Sequence, residues 1–184
     1  MASEIAGTGY FLPEKVIKNS YFEERNPLYH YDKDGNRSGE PVYTSDEWIM
    51  QMMGVAERRE AADDEYVHHL GAKAAQNALK AAGMQPEDLD GIIFATITQE
   101  SNYPSPACLT QKIIGARNAK DVYDLGAACA GFPLALRNAH LALQESKGAY
   151  LVIAAETLRK VTDDTDANAP LFGDGAGAVI LRYT

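Results

Sequence analysis

The chain has 184 residues, 46% of them hydrophobic and 23% charged, and carries a net charge of −9, so its length suits a domain that buries roughly 70% of its unfolded surface. Beyond Arg58-Arg59 and Arg159-Lys160 it has no basic cluster, no stretch approaching the ~18 apolar residues of a membrane span, and only two cysteines, which argues against nucleic acid, a transmembrane helix and a disulfide framework. The start Met1-Ala2-Ser3-Glu4-Ile5 lacks the basic and apolar regions of a signal peptide, so the expected compartment is the cytoplasm.

Strand and helix signals alternate along the chain, as in an α/β layer structure with a mixed, mostly parallel sheet. Glu4 to Gly9 reads as a first strand, followed by a loop through Pro13. The segment from Asn26 to Pro41 reads as a hairpin or loop turning at Asp34-Gly35-Asn36, and residues 26–43 as a surface insertion. A helix is expected from about Asp64 to Ala82, with Val67, Leu70, Ala74, Ala78 and Ala81 on one face and Gly83 as its stop. Gly91 to Thr98 is a continuous apolar run, as in a strand covered on both sides. A helix from Ser105, a strand Val122–Leu125, a helix Cys129–Glu145 and strands Ala149–Ala155 and Ala176–Arg182 complete the series, for five strands in one sheet. The helix after Cys129 carries Phe132, Leu134, Leu136, Ala139, Leu141 and Leu143 around much of its circumference, which asks for a second layer.

Cys129 carries the strongest chemical signal. It follows the strand ending at Leu125 and opens a helix, among the small residues Gly126, Ala127, Ala128, Ala130 and Gly131. The amino end of a helix favours thiolate over thiol, and small neighbours leave a substrate room to reach the sulfur. Cys108 lies in a helix-like run without such neighbours and reads as a core thiol. Other signals are weaker. Asp32, Asp34 and Asn36 have the spacing of a calcium loop, but the glycine falls at the fourth position and no glutamate at the twelfth, which argues against a metal. Gly173-Asp174-Gly175-Ala176-Gly177 is followed by a strand pattern, whereas a dinucleotide fingerprint needs a helix there. His68 and His69 are adjacent and read as a solvated helix face. His140 lies eleven residues after Cys129 on the same helix, about 16 Å along the axis, too far to act as its base.

Five separated segments occur in one order: Thr44-Ser45-Asp46-Glu47-Trp48-Ile49, Gly54-Val55-Ala56-Glu57-Arg58, Tyr103-Pro104-Ser105-Pro106-Ala107-Cys108, the Cys129 segment from Tyr123 to Leu136, and Phe172-Gly173-Asp174-Gly175-Ala176-Gly177-Ala178. Together they resemble the amino-terminal half of the beta-ketoacyl-acyl carrier protein synthase III family of thiolase-like condensing enzymes, over a stretch from about Ile5 to Thr184. The resemblance implies a single amino-terminal thiolase-like domain over residues 1–184, with the carboxy-terminal half of the family absent. It further implies that Cys129 takes an acyl group from a thioester and passes it to a carbanion formed by decarboxylation of a malonyl thioester. Thr44, Trp48, Arg58 and Tyr103 stand at the positions implied for substrate binding, Trp48 for stacking on the adenine of coenzyme A and Tyr103 for reaching across a homodimer interface. Acyl-coenzyme A or an acyl carrier protein is the implied partner, with no separate cofactor.

Two features depart from the family pattern. Met52 replaces an arginine four residues after Trp48, and Ala167 or Asn168 stands about where a second arginine is expected, so adenine stacking and phosphate neutralisation are both weakened. The histidine and asparagine that stabilise the carbanion in the family belong to its other half. The alternative is a thiolase-like binding or scaffold subunit without chemistry.

Overall fold

The computed structural model describes residues 3–184; Met1 and Ala2, part of the start read above, lie outside the described residues. In chain order the elements are β1 (Ser3–Phe11), β2 (Lys15–Lys18), α1 (Ser20–Glu23), β3 (Leu28–Tyr31), β4 (Arg37–Val42), α2 (Asp46–Met53), β5 (Glu57–Glu60), α3 (Val67–Ala82), β6 (Gly91–Ala95), α4 (Pro106–Ile114), β7 (Asp121–Leu125), α5 (Gly131–Ser146), β8 (Ala149–Thr157) and β9 (Asp174–Tyr183). They form two compact units, one of residues 3–12, 63–156 and 175–184, the other of residues 13–62 and 157–174.

The first unit holds a five-stranded sheet in the order β1-β9-β8-β6-β7. β6 runs parallel to both β7 and β8, whereas β1 and β9 are antiparallel. All five strands expected from the apolar runs are present. Helices cover both faces, which is why β6 is buried along its whole length. On one side Ala135, Ala139 and Leu143 of α5 pack on Ile93, Val152, Val179 and Leu181. On the other, Phe94 lies so close to α3 that a Cβ at Gly71 would come within 2.4 Å of its ring. β1 meets α3 the same way: a Cβ at Gly9 would lie 2.3 Å from the Ala74 carbonyl oxygen. Burying a large aliphatic side chain in such layers contributes about 1.5–3 kcal/mol.

Several boundaries differ from the sequence reading by a few residues, and those of β6, α3 and α5 bear on the site. β6 ends at Ala95 instead of Thr98, because the Glu156 carboxylate takes the Ile97 amide that would have continued the ladder. α3 starts at Val67, where the Tyr66 amide donates to the His69 ring. Its end at Gly83, at φ +65°, is as expected. A 3-10 turn, Ala128–Ala130, separates Cys129 from α5.

The second unit is built from two small antiparallel ribbons, β2-β5 and β3-β4. Its core gathers Ile17, Phe22, Leu28, Ile49, Ala167 and Ala169. The expected hairpin at 26–41 is β3-β4, and its calcium-like residues serve the turn. The Asp32 carboxylate accepts the amides of Asp34 and Asn36, both at 2.9 Å. Those amides, Asn36 first, hold the carboxyl below its ordinary pKa.

Candidate active site

Cys129 sits in the turn between the carboxyl end of β7 and the amino end of α5, and its side chain is exposed. The preceding residue, Ala128, has φ +45°. A non-glycine residue in the left-handed region costs about 1–2 kcal/mol, strain that recurs where a side chain must be aimed. The turn is closed by the Ala130 amide, which donates to the Ala127 carbonyl at 3.0 Å. α5 begins tight against the sheet, since a Cβ at Gly131 would come within 3.2 Å of the Ala95 side chain. The small residues around Cys129 thus have two uses: they open space at the thiol, and they let the helix start beside β6.

The ends of β6 and β8 complete this rim. Glu156 near the end of β8 accepts the Ile97 amide at 3.0 Å, the Thr96 hydroxyl at 3.1 Å and the Thr98 hydroxyl. Ligands of open α/β sheets gather at the carboxyl ends of parallel strands, where Thr96 to Thr98, Cys129 and Glu156 all lie. Sequence reading missed Glu156 and the left-handed conformation of Ala128. A carboxylate ending an apolar strand was the available signal for the first, whereas no local pattern marks the second.

Tyr103 belongs to the loop before α4 and is 90% exposed. Ser105 caps α4, accepting the Cys108 amide at 3.4 Å. Asp124 of β7 accepts the Ala107 amide at 2.8 Å, so the strand leading to Cys129 also fixes the helix that follows Tyr103. Burial pushes the Asp124 carboxyl above its ordinary pKa, opposed by the Ala107 amide and Ser105. Cys108 is exposed and not a core thiol: α4 buries Pro106, Ala107, Thr110 and Ile114, which places residue 108 on the outer face.

The histidines also depart from expectation. His68 and His69 do not form a solvated face, because the His68 side chain is mostly buried and its Nδ1 bonds Glu100. Burial, with His68 second, holds His69 below its ordinary pKa. His140, on α5, bonds the Ser3 hydroxyl at 2.7 Å.

Thr44, Trp48 and Arg58 lie in the second unit. Ser45 caps α2 by accepting the Trp48 amide at 3.2 Å. Trp48 is half-buried on the core formed by Ile17, Phe22, Leu28 and Ile49. Met52, one turn further, is 64% exposed. Thr44 is buried; its amide and hydroxyl both donate to Asn26 Oδ1, at 2.8 and 3.0 Å. Arg58 is buried, donating to Asn19 Oδ1 at 2.8 Å and to the Pro170 carbonyl at 2.6 Å. Burial, with Arg159 second, lowers its pKa from the ordinary value. Ala167 is buried in the core and Asn168 is exposed. Asp174 of the Phe172–Ala178 segment is buried and accepts the Ala61 and Arg159 amides, each at 2.8 Å.

Known proteins share much of this sequence and fold. Residues 123–184, which include Cys129, match the family model described as 3-oxoacyl-(acyl-carrier-protein (ACP)) synthase III. The beta-ketoacyl-(acyl-carrier-protein) synthase III of Listeria innocua is 41% identical over 185 residues, covering 98% of this chain and 53% of the relative. That of Paracoccus denitrificans is 40% identical, covering 97% of this chain and 50% of the relative. The crystal structure of the synthase III from Aquifex aeolicus superposes with a TM-score of 0.85 at 38% identity, covering all of this chain and 54% of that one. The priming beta-ketosynthase of the R1128 polyketide pathway superposes at 0.83 with 31% identity, covering 99% of this chain and 50% of that one. The chain spans about half the length of the relatives it matches, and all five strands of its sheet fall within the thiolase-like fold it shares with them. Over about half of their length, the 3-oxoacyl-acyl-carrier-protein synthases III are similar to this chain in sequence and fold.

Proposed function

We propose that this chain supplies the acyl-accepting half of a condensing acyltransferase of fatty acid or polyketide synthesis. In this reading the Cys129 sulfur attacks the carbonyl carbon of an acyl thioester. The new C–S bond forms as the old one breaks, and the displaced thiol leaves with the proton. The carbanion left when a malonyl thioester loses carbon dioxide then attacks the acyl carbon, and the new C–C bond forms as the C–S bond to Cys129 breaks and the thiolate leaves. The amino end of α5 favours the negative charge that develops beside it. The observation that carries the reading is the exposed thiol on a strained strand-to-helix turn, at the carboxyl ends of parallel strands.

Acyl-coenzyme A or an acyl carrier protein would deliver the acyl group, in the cytoplasm, with no further cofactor. Trp48 and Tyr103 would touch substrate, the second across a homodimer interface. Thr44, whose hydroxyl is engaged by Asn26, and Arg58, whose Nη1 and Nη2 are engaged by Asn19 and the Pro170 carbonyl, would serve substrate binding by holding the segment around Trp48. The test is a two-stage assay with acetyl-coenzyme A and then a malonyl thioester. Release of free coenzyme A thiol with a hydroxylamine-labile protein adduct is expected. Formation of 3-oxoacyl product is expected only when donors for the carbanion are supplied by the remaining half of a family member. No thiol release in either setting would refute the enzyme reading and leave a thiolase-like scaffold. The engaged Thr44 hydroxyl and the exposed Met52 are the observations that favour that second reading.

A further inference from the structure

The polar hub of the second unit is Asn19, which is 2% exposed. Its side-chain oxygen accepts Arg58 Nη1 at 2.8 Å, while its amide nitrogen donates to Asp46 Oδ1 at 2.8 Å and to the Val55 carbonyl at 3.0 Å. A guanidinium only donates, and a carboxylate or a carbonyl only accepts, so these partners fix which way the amide points. Two of the three partners bracket one helix: Asp46 is the first residue of α2, and Val55 follows Gly54, its left-handed cap at φ +69°. One buried side chain therefore grips both ends of the helix that carries Trp48 and Met52. The Asn19 backbone carbonyl also accepts the Phe22 amide at 3.0 Å, tying the hub to the core on which Trp48 packs.

A hold of this kind exceeds what the small helix needs for itself. Ser45 already caps the amino end of α2 and Gly54 its carboxyl end. The Asn19 bonds add constraint on where the helix lies against β5, whose second residue is Arg58. We propose that Asn19 is a positioning residue: through Asp46 and Val55 it sets the pose of α2 and so the angle at which Trp48 is presented. The consequence for ligand binding rests on the reading of Trp48 given under Proposed function; the positioning itself does not.

Trp48 is the sole tryptophan, so its fluorescence reports this helix directly. Asn19→Ala should raise the acrylamide quenching constant of Trp48 by about twofold or more while the far-ultraviolet circular dichroism is retained. Asn19→Asp places two carboxylates face to face and should do the same. Adding Asp46→Asn to Asn19→Asp restores a donor-acceptor pair between positions 19 and 46 in the reverse sense, while the Val55 carbonyl still faces an acceptor, so it should return the quenching part of the way to wild type, a rescue that a merely destabilising change would not give. Should both Asn19 variants fail to fold, Asp46→Ala, at an exposed position, carries the test with a smaller increase. Unchanged quenching in the folded single variants, or no rescue in the double, overturns the proposal. Coenzyme A titration of wild type and Asn19→Ala is the separate arm: several-fold weaker binding by the variant extends the positioning to the ligand. Absence of binding by wild type refutes the Trp48 reading and leaves the quenching result to decide the role of Asn19.

Discussion

Glu156 and Ile97 meet where two parallel strands end: the carboxylate near the end of β8 accepts the amide of the residue two beyond β6, at 3.0 Å. The same carboxylate holds the hydroxyls of Thr96 and Thr98, so three donors of one strand exit depend on one side chain. Glu156→Ala should cost about 2 kcal/mol or more, since it strands these donors together. Thermal unfolding should show Tm lower by roughly 4–8 °C for a chain of this length. Glu156→Gln keeps one good acceptor and should fall between the two.

Strain at Ala128 gives a prediction of opposite sign. Its φ of +45° is one that glycine adopts freely, and its side chain is exposed, so little packing is lost on removing it. Ala128→Gly should stabilise by about 0.5 kcal/mol, the relief of strain exceeding the added freedom of the unfolded chain. Ala128→Val, β-branched in the same region, should destabilise by about 1–2 kcal/mol. Urea unfolding of the three proteins under one condition decides the ranking.

The close approach of β1 and α3 can be probed at Gly9. An added Cβ there lies 2.3 Å from the Ala74 carbonyl and 2.4 Å from the Ala78 amide nitrogen, both rigid backbone of α3. Gly9→Ala should therefore cost about 3 kcal/mol, at the upper end for overpacking. A loss well under 1 kcal/mol by chemical denaturation would mean that strand and helix separate more readily than the geometry implies.

Asp124 sets a pH dependence. Burial raises its folded-state pKa above the unfolded value, so its contribution to stability is fully present below the unfolded pKa and lost as pH rises through the folded one. Asp124→Asn keeps an acceptor for the Ala107 amide without the buried charge. The variant should be more stable than wild type near neutrality, with the gap closing as pH falls through the raised folded-state value towards the unfolded one of about 4. Denaturation midpoints across that range would show the convergence.

Legibility in the sequence followed locality. β6 and β8 announced themselves because a strand covered on both faces must be apolar throughout, and α3 because its stripe ends at a glycine. α2 was hidden: Trp48, Ile49, Met50, Met52 and Met53 crowd its surface without a clean period, although Ser45 before it and Gly54 after it were usable cap signals. The β2-β5 ribbon was out of reach, since Glu57-Arg58-Arg59-Glu60 has no apolar alternation. Its pairing makes sense only once Lys15 is found opposite Glu60 and Lys18 opposite Glu57. Cys129 was found from its small neighbours, but Glu156 and Asn19 act through partners dozens of residues away, where no spacing rule reaches. Cys108 was misplaced for a similar reason: which face of a short helix is buried depends on what packs against it.

The central claim is that one of two exposed thiols is the acyl acceptor. The most direct measurement is peptide mapping by mass spectrometry after the chain, with each cysteine singly replaced by serine and as wild type, has been incubated with acetyl-coenzyme A. A single hydroxylamine-labile acetyl group on the peptide containing Cys129, present in Cys108→Ser and absent from Cys129→Ser, is the predicted result. Acetylation spread equally over both cysteines, or retained in Cys129→Ser, would contradict it.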